Sequence, residues 1–199
     1  MDFILATGNS GKAQEIQALF GAGHTVRTMK ELGFTGEIVE DGQTFEENAT
    51  KKAQAIYDWI SVDYDYILAD DSGIEIDALD GNPGVDTAKW FGEDLPYEQK
   101  VKLALEVLAN VPDIERTARF ICVIACLSRD GQLITSRGVL EGRLAHEAAG
   151  LSGFGYDPIF IVPQLGQALA ELDRNEKNRI SHRAQAIKKM GKMLGVDLS

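Results

Sequence analysis

The sequence predicts an α/β domain on a mixed sheet, and three observations carry that expectation. An apolar strand, a glycine-containing loop and a helical pattern follow one another within the first 20 residues. A second apolar run, Tyr66 to Ala69, ends in two adjacent carboxylates, Asp70 and Asp71. Two long apolar stretches, Arg119 to Ser128 and Leu133 to Leu140, are joined by Arg129-Asp130-Gly131-Gln132. Strands that alternate with helices pair in parallel, whereas a short link containing Asp-Gly makes an antiparallel hairpin. A sheet holding both kinds of pair is mixed, which argues against a simple dinucleotide-binding domain.

Taken in order, Phe3-Ile4-Leu5-Ala6 is a strand, and Thr7-Gly8-Asn9-Ser10-Gly11-Lys12 leads into a helix marked by Ile16, Leu19 and Phe20. A loop of this kind turns backbone N–H groups and the positive end of a helix dipole toward an anion, and Lys12 adds a charge. The spacing is two residues short of a Walker A loop and does not match Gly-x-Gly-x-x-Gly. The alternative is a plain turn whose helix is capped by Asn9 or Ser10.

Residues 21–43 are glycine-rich and polar, with a short strand expected near His24-Thr25-Val26 and a closing acidic stretch, Glu37 to Gly42. Thr44 and Glu47 form a capping box, so a helix starts there. Phe45, Ala49, Ala53, Ile56 and Ile60 make its buried stripe, while Glu47 and Lys51 pair at i, i+4 on the exposed side. Asn48 and Lys52 share another face, and the pattern leaves Lys52 open between solvent and ligand. Glu40, a lone loop glutamate, is by pattern a solvated residue.

Tyr66 to Ala69 is a buried strand that places Asp70 and Asp71 at its carboxyl end, the edge where ligands bind in open α/β sheets. Two such carboxylates repel unless a cation, a donor or a proton offsets them, and Mg²⁺ is a hard cation suited to the task. Neighbours on a strand face opposite ways, so one of the pair at most reaches the cation directly. The alternative is a solvated Asp-Asp-Ser-Gly turn. Ile74 to Leu79 alternates as a half-buried strand, followed by a turn from Asp80 to Gly84.

Pro96 to Ala109 is a helix, expected to be capped by Asp94 and to bury Val101, Leu105 and Leu108. Gly150 to Phe160 mixes glycines with aromatics ahead of a strand, Ile159 to Val162, and either Phe154 or Tyr156 is placed to stack on a heterocycle unless the segment is a core hairpin. Ser181 is the expected N-cap of a last helix in which Ile187, Met190 and Leu194 pack. His182 and Arg183 then fall in its first turn, where a cation opposes the dipole and Arg183 is out of place for helix stability alone.

Composition excludes several classes. The 199 residues, 44% hydrophobic and 26% charged, suffice for one sizeable domain or for two lobes around one sheet. No apolar stretch approaches the roughly 20 residues of a membrane span, and the start lacks a basic signal-peptide region, so a cytoplasmic protein is expected. Cys122 and Cys126 lie in the apolar run Phe120 to Leu127 and read as buried thiols rather than as a metal pair or a disulfide. A formal net charge of −11 and a pI near 4.7 argue against a nucleic acid polymer as partner, and leave room for a small anion held with Mg²⁺.

Four dispersed motifs, Thr7 to Lys12, Ala69-Asp70-Asp71-Ser72-Gly73, Gly153 to Pro158 and Ser181-His182-Arg183, together resemble the signatures of the inosine triphosphate pyrophosphatase family. The resemblance runs from about residue 3 to about residue 195. It implies an elongated two-lobed α/β fold around a long mixed sheet with flanking helices, residues 1–199 forming one domain with its cleft between the lobes, and a homodimer. It implies hydrolysis of noncanonical purine nucleoside triphosphates (ITP, dITP, XTP) to monophosphate and pyrophosphate with Mg²⁺.

By the same resemblance Thr7, Gly8, Asn9, Ser10, Gly11, Lys12, Lys52 and Lys177 bind the triphosphate. Glu40 and Asp71 match the Mg²⁺-associated acids, Asp71 also the general base, and Ser72 touches substrate. Phe154, Gly155, Tyr156, Asp157, His182 and Arg183 match the purine pocket. Asp86, Lys89 and Ala148 depart from the family pattern. Two other readings compete: a pyrophosphatase for modified pyrimidine nucleotides, which has no use for the Ser-His-Arg and Phe-Gly-Tyr-Asp segments, and a non-catalytic nucleotide sensor, which would have lost the acids.

Overall fold

A computed structural model describes residues 1–20 and 23–196. Its strands are β1 Asp2–Leu5, β2 Thr25–Thr28, β3 Tyr66–Ile76, β4 Thr117–Ser128, β5 Leu133–Leu144, β6 Phe160–Val162 and β7 Gln167–Ala168. Its α-helices are α1 Ser10–Leu19, α2 Phe45–Trp59, α3 Tyr97–Val107, α4 Arg174–Ile180 and α5 His182–Leu194. The strands form one sheet in the order β2-β1-β3-β4-β5-β6-β7.

β1 runs parallel to β2 and β3, with Leu5 level with Thr28 and Leu68. β5, β6 and β7 are antiparallel. The four residues between β4 and β5 permit only an antiparallel hairpin, closed by Ser128 N donating to Gln132 O at 2.9 Å. The sheet is mixed, as the Asp-Gly link requires. Among the described residues, no helix is long and apolar enough to cross a membrane.

The chain divides into two compact units, one of Met1–Ser72, Cys122–Gly138 and the chain from His182 onward, the other of Gly73–Ile121 and Val139–Ser181. Each has its own core. In the first, Phe3, Leu5, Ile16 and Leu68 pack with Cys122, Ile124, Ile187 and Met190. In the second, Ile74, Ile76, Val101 and Leu108 pack with Phe120, Tyr156 and Phe160. β4 is buried almost throughout and is correspondingly apolar, whereas β5 alternates and buries one face. Cys122 and Cys126 are buried free thiols, both pushed up to about 12 by burial.

Several expectations change. β3 does not stop before the two aspartates but runs through Asp70, Asp71, Ser72 and Gly73 to Ile76, so the carboxylates sit in mid-strand. Cations from neighbouring helices offset their charge, which lets the strand continue. Asp77–Leu79 is a 3₁₀ turn, not a strand end. α3 begins after Pro96 with no side-chain cap, so Asp94 does not cap it. β6 starts at Phe160 because Asp157–Ile159 closes a turn. Lys51 pairs with Asp41 at 2.5 Å, while Glu47 reaches back to Gln43 N at 2.7 Å. α4 was not anticipated, although Asp173 and Glu176 cap it reciprocally.

Candidate active site

The loop after β1 is held by its own side chains. Thr7, buried, accepts a hydrogen bond from Asn9 N at 3.2 Å through its hydroxyl. Asn9 caps α1, its Oδ1 accepting from Gly11 N at 2.9 Å and Lys12 N at 3.1 Å. An anion would compete with Asn9 for these two N–H groups. Gly8, Asn9 and Ser10 are exposed, and Lys12 extends its Nζ to 3.1 Å from Asp70 Oδ2.

Asp70 and Asp71 are 2% and 5% exposed, burial that a carboxylate tolerates only with compensation. Facing opposite ways on β3, they meet different partners. Asp70 Oδ2 is approached by Lys12, by Arg183 Nε and Nη2 at 3.4 Å, and by the Ser72 hydroxyl at 3.2 Å. Ser72, two residues on and so on the same face, also accepts from Arg183 Nη2 at 3.0 Å, and Arg183 Nη1 pairs with Glu15. Burial raises the Asp70 pKa, but Lys12, Arg183 and Lys52 outweigh it and hold the carboxyl far below its usual range. Asp70 is a fixed anion.

On the other face Lys52 Nζ bridges Asp71 Oδ1 at 2.8 Å and Glu40 Oε2 at 2.7 Å. Burial pushes the Asp71 carboxyl up, past what Lys52 and Lys12 restore, and Asp70 adds to the rise. Lys52 is also raised, because Asp71, Asp70 and Glu40 together overcome its own burial. The two directions agree: Lys52 answers to three acids, whereas Asp71 loses its water and stands beside an anion. Asp70 Oδ1 and Asp71 Oδ2 are buried without a hydrogen-bond partner. The two identical side chains therefore have opposite chemistry, one permanently charged and one poised to take a proton.

The second unit gathers the remaining predicted residues. Asp157 Oδ2 accepts from Phe154 N at 2.9 Å and from Lys177 Nζ at 2.7 Å. A Cβ at Gly153, whose φ is +79°, would lie 2.2 Å from that oxygen, so only glycine lets the loop wrap the carboxylate. Lys177 also sits 5.0 Å over the Phe154 ring. Tyr156 is a core residue packed against Trp90 and Tyr97, which leaves Phe154 as the more exposed ring. The Tyr156 hydroxyl is buried without a partner. Removing an unsatisfied hydroxyl while keeping the ring should not weaken the fold, so Tyr156→Phe is expected to unfold within about 1 kcal/mol of the parent or above it in denaturant titration. A loss above about 2 kcal/mol would reveal an essential hydroxyl bond.

The fold thus brings Thr7 to Lys12, Glu40, Lys52, Asp70 to Ser72, His182 and Arg183 into the first unit, and Phe154 to Asp157 with Lys177 into the second. Sequence reasoning missed Glu15, whose only signal is its place three residues beyond Lys12 on α1. It placed Asn48 on the Lys52 face but missed its contact: Oδ1 accepts from Gly42 N at 2.8 Å and ties the Glu40 loop to α2. Asp86 lies in a 3₁₀ turn, and Lys89 makes a loose exposed pair with Glu93 at 4.0 Å. No three His, Cys, Asp or Glu side chains converge as a ready metal centre among the described residues.

A model of the Ham1 family matches residues 3–193. Two similar proteins, from Exiguobacterium sibiricum and Bacillus subtilis, are both named dITP/XTP pyrophosphatase. The first is 44% identical over 191 residues, covering 96% of this chain and 95% of its own. The second is 43% identical over 192 residues, covering 96% of each. Among solved structures, the Staphylococcus aureus Ham1 protein superposes with a TM-score of 0.86 at 35% identity, over 98% of both chains. With the family's motifs present in order and its fold reproduced over nearly the whole length, the chain belongs to the Ham1 family.

Proposed function

We propose that this chain hydrolyses noncanonical purine nucleoside triphosphates, dITP and XTP among them, to the nucleoside monophosphate and pyrophosphate. The observation that carries it is the divided aspartate pair, a fixed anion beside a poised base in a cluster of cations. Water attack on a phosphorus of a polyanionic triphosphate needs charge neutralisation and a proton acceptor more than a covalent intermediate. Lys12 and Lys52 take up phosphate charge, and Lys177 orders the Phe154 loop through Asp157. Asp71, by its unpartnered Oδ2, accepts the proton of the attacking water, and the anhydride oxygen departs on pyrophosphate.

The same site suits Mg²⁺, which binds through one or two carboxylates and completes its shell with water and phosphate oxygens. Glu40 would be a direct hard donor to it, and the orphaned oxygen of Asp71 would hold one of the ion's waters. When bound, it supplies neutralisation of the departing pyrophosphate.

For the base, a C6 keto group needs donors, and an adenine amino group placed against donors leaves them unpaired. Arg183 already engages Asp70, Ser72 and Glu15, so His182 and the first-turn backbone of α5 carry more of this recognition than Arg183 does. The expected result is that His182→Ala loses ITP activity far more than ATP activity, compressing the kcat/KM ratio tenfold or more. If both fall alike, His182 positions the nucleotide without reading its base. A pyrimidine preference lacks a role for these segments, and a sensor lacks one for Glu40, Asp70 and Asp71. A cytoplasmic location and a homodimer complete the proposal, the second open to test by sedimentation.

Lys51 and Lys52 provide an internal comparison on α2. Lys52 faces the acids and Lys51 faces solvent, paired with Asp41. Lys52→Ala is expected to lower kcat/KM a hundredfold or more, since phosphate charge persists from ground state to transition state, while Lys51→Ala stays within about twofold. Equal effects measured in steady-state assays would remove Lys52 from the site.

A further inference from the structure

Three consecutive residues of β5 hold α5, the helix that presents His182 and Arg183. A Cβ at Gly138 would lie 2.0 Å from His182 O, 2.6 Å from Ala186 N and 3.0 Å from Gln185 Cβ, so the first turn of α5 rests directly on the strand backbone. Ser136, two residues back on the same strand face, is buried and donates its hydroxyl to Ala186 O at 2.8 Å. Arg137 O accepts from Lys189 Nζ at 2.8 Å, one turn further along. The Arg137 side chain pairs with Glu46, in the first turn of α2, at 2.8 Å.

The clashing atoms at Gly138 are backbone. No rotamer change relieves them, so any side chain there must lift the start of α5. The rest of α5 is anchored independently by Ile187 and Met190 in the core. A lift would therefore act at the first turn, where Arg183 touches Asp70 and Ser72 at 3.0–3.4 Å, and would leave Lys12 and Lys52 on their own helices.

We infer that Gly138, assisted by Ser136, is a positioning residue that sets the height of the α5 first turn and thereby the placement of His182 and Arg183 against the substrate base. This rests on the first turn of α5 meeting the base, as proposed above.

The test compares a substrate that carries the base with an inhibitor that lacks it. In Gly138→Ala, KM for ITP is expected to rise tenfold or more, while the inhibition constant of inorganic tripolyphosphate stays within twofold of the parent. A general distortion of the site would move both together, whereas partial unfolding would lower only the apparent kcat. Ser136→Ala, which removes the bond to Ala186 O without a clash, is expected to raise KM for ITP about two- to fivefold with the same unchanged inhibition constant, and it decides the matter if Gly138→Ala does not fold. A folded Gly138→Ala with KM for ITP within twofold overturns the inference, as does a parallel shift of both constants, or, where only Ser136→Ala folds, no change in its KM. His182→Ala separates the two claims: if it leaves the ITP to ATP ratio unchanged, base contact by α5 fails, whereas a collapsed ratio with a silent Gly138→Ala defeats the positioning role alone.

Discussion

Asp71→Asn is expected to fold normally and to lose about two to four orders of magnitude in kcat, the range for removing a general base. The amide keeps the shape and the volume but can neither take the proton of water nor, as an anion, hold a water of Mg²⁺. Burial beside Asp70 raises the Asp71 pKa above 3.8 in the parent enzyme, so parent kcat should climb as pH rises through that raised value and the base ionises. The variant should retain only a weak residual rate without this limb. Stopped assays of pyrophosphate release from pH 4 to 9, with circular dichroism to confirm folding, read both effects. A folded variant that keeps more than about a tenth of parent activity would remove Asp71 from the chemistry, and excess Mg²⁺ should not restore it.

Arg183→Ala is expected to show its largest effect on stability. Arg183 is 2% exposed and joins Glu15, Asp70 and Ser72 across α1, β3 and α5. Removing one partner from a buried ion network commonly costs about 3–5 kcal/mol, because the charges left behind have lost their compensation. The sign of the pH dependence follows from Asp70. Its folded pKa is depressed, so the stability it contributes is fully present above the unfolded value near 3.8 and is lost as pH falls toward the folded value. The gap between parent and Arg183→Ala should therefore be widest near neutrality and narrow below about pH 4, where Asp70 in the variant takes up a proton. Urea titrations at pH 7 and at about pH 2.5 measure it. Arg183→Lys should recover only part of the loss, since an ammonium cannot reach Asp70 and Glu15 with a planar fork. A loss under about 1 kcal/mol at pH 7 would show the network to be dispensable.

How much was legible in the sequence follows from the range of each interaction. Thr44 and the Asp130-Gly131 turn act within four residues, and the pattern placed both; it left the α1 cap between Asn9 and Ser10, and the structure gives it to Asn9. The mixed sheet followed from short connections for the same reason. The end of β3 was misplaced because Asp70 and Asp71 are unfavourable in a buried strand until Lys12, Lys52 and Arg183 arrive from α1, α2 and α5, and no local pattern announces partners up to 113 residues away. Lys51 was paired with Glu47 by helical spacing, yet Asp41 lies in the loop that Asn48 folds back onto α2. Tyr156 and Phe154 are chemically alike, and only the packing of Trp90 and Tyr97 separates the core ring from the more exposed one. Arg183 was flagged by its unfavourable place at a helix start, but its engagement with Asp70 is a tertiary fact.

The most direct measurement is a panel of ITP, dITP, XTP, GTP and ATP incubated with the enzyme and Mg²⁺, with and without EDTA, and assayed separately for pyrophosphate and for orthophosphate. Pyrophosphate should be released from ITP, dITP and XTP at kcat/KM values a hundredfold or more above that for ATP, with no orthophosphate and with activity abolished by EDTA. Comparable turnover of ATP and ITP, or release of orthophosphate in place of pyrophosphate, would contradict the proposed activity.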